Sequence, residues 1–265
     1  MMKLWYQSLA RETESTPYGE RLRKVIKNAA DPDTEVHLQG VRKSAGIGVH
    51  YRFLAYHDTG EVIENAMKAQ KLGFDAFMVG NISDSGLREA REVVSIPVLG
   101  LCESSVLTSC MMGANFGLIS ISDKWTQLLH ENVNRYGLSS RLLATEPLQT
   151  SPLQLKKAMV DPAYLQEVMD QFYIAAQKLI DKGAEVIIPA GGDIMVFLAE
   201  MGIYQLGNTP IVNGMNEMIK MTETAVRLKR LTGRFTSKAR GYAKPEGDFL
   251  ERIRKHYGSD AYPDE

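Results

Sequence analysis

Lys71-Leu72-Gly73-Phe74-Asp75-Ala76-Phe77-Met78-Val79-Gly80-Asn81 runs on to Ser95-Ile96-Pro97-Val98-Leu99-Gly100, and Asp181-Lys182-Gly183-Ala184-Glu185-Val186-Ile187-Ile188-Pro189-Ala190-Gly191 runs on to Asn208-Thr209-Pro210-Ile211-Val212-Asn213. Both stretches carry the same order of signals. A helical segment stops at Gly, an acidic residue follows, apolar residues make a strand, a Gly-containing turn leads into a helix, and Pro opens the next strand. Order repeated over roughly 30 residues is what an internal duplication looks like.

Outward from these two stretches, short apolar runs alternate with longer segments of helical period, the pattern of an α/β protein with parallel strands buried on both faces. In the first half the strands are expected at Leu4–Gln7, Glu35–Leu38, Ala76–Val79 and Val98–Leu101, with helices over Gly19–Asn28 and Glu61–Leu72. In the second half they are expected at Phe116–Ile121, Leu142–Thr145, Val186–Ile188 and Ile211–Val212, with helices over Lys124–Tyr136 and Ala163–Lys182. Each half thus reads as a four-stranded parallel sheet. The division is residues 1–103 plus 213–232 for one lobe and 104–212 for the other. The polar, basic tail, 233–265, is read as a surface extension or an oligomer contact.

A chain of 265 residues is long enough for two such lobes. With 24% charged residues, 44% hydrophobic residues and a formal net charge of −1, it has no basic excess for nucleic acid. No segment reaches the roughly 20 apolar residues of a membrane span, and Met1-Met2-Lys3-Leu4-Trp5-Tyr6-Gln7 enters a strand without the apolar core of a secretory leader. A cytoplasmic location is therefore expected, with homo-oligomerisation as the base-rate expectation for such an enzyme. Cys102 and Cys110 form neither a CxxC nor a disulfide framework. The thirteen methionines read as core filler. No GxGxxG follows the first strand and no GxxxxGK[ST] occurs, which argues against a nucleotide enzyme.

Open parallel sheets bind ligands outside the carboxyl ends of their strands. The residues there are Gln7 and Ser8; Asn81, Ser83 and Asp84; Cys102, Glu103, Ser104 and Ser105; Gly191, Gly192 and Asp193; and Asn213 with Glu217. Ser83, Ser104 and Ser105 read equally as helix caps and as ligand donors. Gly191-Gly192 would let backbone amides approach a ligand closely. For acid–base work the candidates are Glu103, Asp84, Asp193, His50 and His57, with Glu217 behind them. Glu103 reads either as a site carboxylate or as a cap of its helix, and each histidine either as functional or as a surface residue. His50 and His57 with Glu103 and Asp84 could also hold a divalent metal, although the spacing matches no standard zinc motif. No other cofactor is expected.

Asn81-Ile82-Ser83-Asp84-Ser85-Gly86-Leu87, then Ala90-Arg91, then Ile96-Pro97-Val98-Leu99-Gly100-Leu101-Cys102-Glu103 resembles the hydantoin racemase pattern of the aspartate/glutamate/hydantoin racemase superfamily. Gly183-Ala184-Glu185-Val186-Ile187-Ile188-Pro189-Ala190-Gly191-Gly192 is similar to the family's second motif. The likeness covers most of residues 1–230. It implies two similar Rossmann-like lobes related by a pseudo-twofold, with the site between them, and Glu103 at a site position. It also implies one cysteine on each side of the substrate carbon, at positions that fall on Asn81 and Gly191. An amide has no useful pKa and glycine has no side chain, so neither residue is a base.

The reading is therefore an enzyme acting on a small carboxylate or hydantoin-like cyclic amide. Gln7, Ser8, Asn81, Ser83, Ser104, Gly191, Gly192 and Asn213 would bind the substrate, and bond cleavage by decarboxylation or hydrolysis is favoured over thiol-dependent racemisation. The alternatives are a racemase or isomerase with other bases, and a ligand-binding protein that has lost catalysis.

Overall fold

The computed structural model describes residues 1–43 and 51–264. The first lobe opens with β1 (Met2–Arg11), α1 (Pro17–Ala29), β2 (Thr34–Val41), α2 (Arg52–Lys71), β3 (Ala76–Val79), α3 (Leu87–Val93) and β4 (Val98–Gly100), followed directly by α4 (Leu101–Met112). The second contains β5 (Phe116–Ser120), α5 (Asp123–Arg135), β6 (Leu142–Pro147), α6 (Pro152–Ala158), α7 (Pro162–Asp181), β7 (Ile187–Ala190), α8 (Gly192–Glu200) and a small hairpin, β8 (Gln205–Leu206) and β9 (Thr209–Pro210). Helix α9 (Gly214–Thr232) then returns to pack on α4, α1, β3 and β4, and α10 (Gly247–Tyr257) lies in the C-terminal extension.

The first sheet has the order β2-β1-β3-β4 and the second β6-β5-β7, with every pairing in both sheets parallel. The expected fourth strand of the second sheet shrinks to one bridge between Ile187 and Ile211. The reason is local. Pro210 has no N–H to give, and the Ile211 amide is spent on Tyr204 O inside the hairpin, so only Val212 N reaches Ile187 O. Even so, the bridge keeps the order of the first sheet.

The repeated punctuation seen in the sequence has a shared backbone cause. Gly73 after α2 and Gly183 after α7 both take positive φ, 76° and 94°, the left-handed turn that ends a helix and that a side chain would strain. Helix α1 starts at Thr16, whose Oγ1 accepts from Gly19 N at 3.1 Å, with Pro17 at its first position. Trp5, Tyr6 and Phe77 are fully buried in the first lobe, and Phe116, Phe172 and Phe197 in the second. Each such side chain stabilises the fold by about 1.5–3 kcal/mol through burial.

Two differences from expectation matter for the site. Helix α2 begins nine residues earlier than expected, so His57 lies in a helix rather than in the loop before it. Cys102 and Glu103 are in the first turn of α4 rather than on a strand end, because α4 starts at once after β4. His50 lies outside the described residues. The extension is tied to the first lobe: Lys238 Nζ donates to the carbonyls of Arg91 and Glu92, Tyr262 Oη donates to Glu92 Oε1 at 2.6 Å, and Lys71 pairs with Asp260 at 2.7 Å. Among the described residues no helix is long and apolar enough to cross a membrane.

Candidate active site

Register places the strand ends side by side. Gln7 is level with Val79 on β1 and β3, and Ser120 is level with Ala190 on β5 and β7. Beyond these four ends, between the lobes, lies a cavity of about 420 Å³. The first lobe contributes Ser8, Arg11, Tyr18 and Asn81, and the second contributes Ile121, Trp125, Leu155, Lys156, Met159, Gly191, Gly192 and Asp193. Its walls are mainly apolar, with a few convergent polar groups, the usual make-up of a small-molecule site. Trp125 is pinned there by its indole N–H, which donates to Ala190 O at 3.1 Å.

Asp193 is the one carboxyl among the described lining residues. It sits in the first turn of α8, a helix that no side chain caps. Burial pushes its pKa up to about 6, with the nearby Lys156 ammonium pulling the other way. The Tyr18 phenol is held well above its usual range by burial first, then by the charges of Tyr6 and Asp193. Asn81 Oδ1 accepts from Ser83 N at 2.9 Å and Ser83 Oγ at 2.7 Å, which turns the opposite, donor end of the amide to other partners. Ser8 Oγ accepts from Ala10 N at 3.2 Å and from Thr13 Oγ1 at 2.8 Å. Of the residues singled out in the sequence, the cavity thus brings together Ser8, Asn81, Gly191, Gly192 and Asp193.

The others lie outside its lining, each for a visible reason. Asp84 is buried beneath the N-terminus of α4, where its carboxylate accepts from Cys102 N at 3.0 Å, Glu103 N at 2.8 Å and Tyr136 Oη at 2.5 Å. Burial pushes Asp84 up to about 7 against these three bonds, which favour its charged form. Glu103 is held by both terminal nitrogens of Arg91, the Nη1 contact measuring 2.9 Å, and Arg91 Nε also donates to Val98 O. That pair ties α3 to α4. Gln7 is a clamp within its lobe, accepting from Trp5 Nε1 and Asn65 Nδ2 and donating to Ser8 O and Gln39 O. Ser83 holds the Asn81 turn, and Ser104 is buried in α4. Asn213 Nδ2 donates to Met195 O at 2.7 Å. His57 is exposed and packs against Phe53 and Tyr56.

Glu217, in the first turn of α9, is likewise outside the cavity, and burial pushes it up to about 7. Cys102 is buried, and burial followed by the Asp84 charge drives its thiol well above its usual range, the opposite of an activated nucleophile. Asp84 and Glu103 are engaged elsewhere and His57 is on the surface. Among the described residues no group of three His, Cys, Asp or Glu could hold a metal ion. Glu103→Gln is expected to lower stability by about 1–2 kcal/mol, through the weakened Arg91 pair, while leaving ligand binding in the cavity unchanged. Urea unfolding and calorimetric titration of the same variant check both halves; lost binding at intact stability would return Glu103 to the site.

The lining residues that escaped the sequence reading include Arg11, Tyr18, Trp125 and Lys156. Tyr18 had a usable signal, since it opens the helix that follows the first strand, where such sheets bind ligands. Trp125 had the same signal, in the first turn of the helix that follows β5; Lys156 had none, because α6 reaches the cavity only through packing of the second lobe.

The comparisons agree with this architecture. The Asp/Glu/hydantoin racemase family profile matches residues 15–222. A hydantoin racemase from Pseudomonas sp. (strain NS671) is 29% identical over 220 residues, covering 83% of this chain and 84% of that one. Among solved structures, allantoin racemase from Klebsiella pneumoniae superimposes with a TM-score of 0.80 at 20% identity, covering 94% of this chain and 95% of that one. The allantoin racemase of Pseudomonas fluorescens gives 0.79 at 24% identity, covering 93% and 98%. With the match reaching across both lobes, the chain belongs to the Asp/Glu/hydantoin racemase family.

Proposed function

We propose that the cavity between the lobes is the active site of a thiol-independent bond cleavage on a small carboxylate or hydantoin-like cyclic amide, and that on a carboxylate the reaction is decarboxylation. The observation that carries this reading is one-sidedness: Asp193 is the single carboxyl among the described lining residues, and Asn81 and Gly191 stand where the resemblance puts the family's cysteines. Decarboxylation needs one proton delivered on one face. The bond to the departing carboxylate breaks, CO2 leaves, and the electron pair becomes an enolate held by neutral donors. Protonated Asp193 then gives its proton to carbon and regains one from water. A carboxyl raised to about 6 is suited to that task, since a useful fraction is protonated near neutral pH. Arg11 and Lys156 supply positive charge for the substrate carboxylate.

Racemisation without thiols is the second reading, favoured by the racemase names of the relatives. It needs a second proton carrier on the opposite face, for which Lys156 and Tyr18 are candidates in the lining. Incubation with substituted malonates, amino acids and hydantoins in D2O, followed by NMR, separates the two. Loss of a carboxylate with one deuterium placed stereospecifically supports decarboxylation. Deuterium at an intact α-carbon overturns it in favour of racemisation, and ring opening overturns it in favour of hydrolysis. Ligand-induced stabilisation with no turnover would make the protein a binder.

A further inference from the structure

We propose that Tyr18 is the hydrogen-bond donor that holds the negative oxygen of the reacting ligand in this cavity, a role that rests on the cavity being the active site as proposed above. Tyr18 is the second residue of α1, just after Pro17, in a turn anchored by the Thr16 cap. Its ring packs on the core, yet its hydroxyl makes no hydrogen bond to protein among the described residues. A phenol in apolar surroundings without a partner is a free donor, and such groups normally find one.

The glycine pair opposite makes room for it. A Cβ at Gly192 would fall 2.7 Å from Tyr18 Oη and 3.4 Å from Met215 Cε. A Cβ at Gly191 would fall 2.7 Å from Ile121 Cγ2. Side chains from α1 and from the end of β5 therefore occupy the space that residues 191 and 192 would otherwise fill, and Tyr18 brings the polar atom. The phenol keeps its proton at neutral pH because burial and the neighbouring Asp193 carboxylate both oppose its ionisation. It is thus a neutral donor on the same part of the cavity as the proton carrier. A fixed neutral donor in a water-poor site stabilises an oxyanion strongly, since no solvent has to reorient as charge develops.

The test uses the full chain and pyrrole-2-carboxylate, a planar carboxylate whose substituted carbon is trigonal, as in an enolate. Calorimetric titration is compared for the native protein, Tyr18→Phe, Gly192→Ala and Asp193→Asn. Tyr18→Phe removes one oxygen with no protein partner, so its melting midpoint stays near the native one while affinity falls roughly tenfold. Gly192→Ala, which crowds the hydroxyl, lowers affinity in the same direction. In protein labelled with 3-fluorotyrosine, the fluorine resonance missing from Tyr18→Phe shifts on addition of the probe. Unchanged affinity in Tyr18→Phe with an unmoved resonance, while Asp193→Asn alters binding, overturns the role of Tyr18 and leaves the active-site reading standing. Failure of the native protein to bind any planar carboxylate overturns both.

Discussion

Asp193→Asn is expected to lower turnover by about 10²–10⁴-fold, the usual contribution of a positioned general acid, while making the protein more stable at pH 8. The two effects share one cause. The carboxyl sits in a largely apolar cavity, so its folded pKa of about 6 lies above the value near 4 of an unfolded aspartate. Between those two values the native state holds a proton that the unfolded state has released. Stability is therefore highest below about pH 4 as far as this group is concerned, and falls as pH rises through 6. Asparagine keeps the shape and removes the charge that deprotonation would bury. The gain at pH 8 is roughly 1–3 kcal/mol, after allowance for the part of the carboxyl open to the cavity. Melting curves of both proteins from pH 4 to pH 8 should converge at the acid end and separate at the alkaline end. Parallel curves would mean that Asp193 titrates as an ordinary surface acid and is not the proton carrier.

Asp84→Ala is expected to be the most destabilising single change considered, at about 3–5 kcal/mol or roughly 10 °C in melting midpoint. The carboxylate serves three donors at once, the amides of Cys102 and Glu103 and the Tyr136 hydroxyl. Alanine leaves all three buried without a partner, and an unmet buried donor costs more than its bond contributed. The effect should reach the cavity. Asp84 ends the turn that carries Asn81, at a φ of 51° that aspartate tolerates better than most residues, and Asn132 Nδ2 from α5 ties down the carbonyls of Ile82 and Ser83. Urea unfolding gives the stability change, and probe titration of the surviving folded protein gives the loss of binding. A change below 1 kcal/mol would mean that solvent replaces the carboxylate and that the first turn of α4 stands without it.

Asp84 also shows where sequence reading stops. Its type and its place after a strand suit catalysis and helix capping alike, and only the arrival of the α4 amides and Tyr136 decides for the cap. Glu103 is similar, since Arg91, twelve residues away in sequence, occupies its carboxylate. Asp193 presented the same sequence signal, yet it faces the cavity.

The fold was legible because it is written in local physics: apolar runs of strand length, helical periodicity, and glycines that end α2 and α7 in the left-handed conformation, repeated in the same order in both halves. Those signals depend on neighbours in the chain, so the chain alone determined a duplicated α/β architecture with its cavity at the strand ends. The reduction of the last strand to a bridge followed from the local hairpin, whereas the division of the four acidic candidates into cavity-facing and other groups, and the entry of Tyr18, Trp125 and Lys156 into the cavity lining, were decided by tertiary structure. Both depend on which groups the folded chain brings together. Burial and partner choice are set by contacts between residues far apart in sequence, and those contacts exist only once the chain has folded.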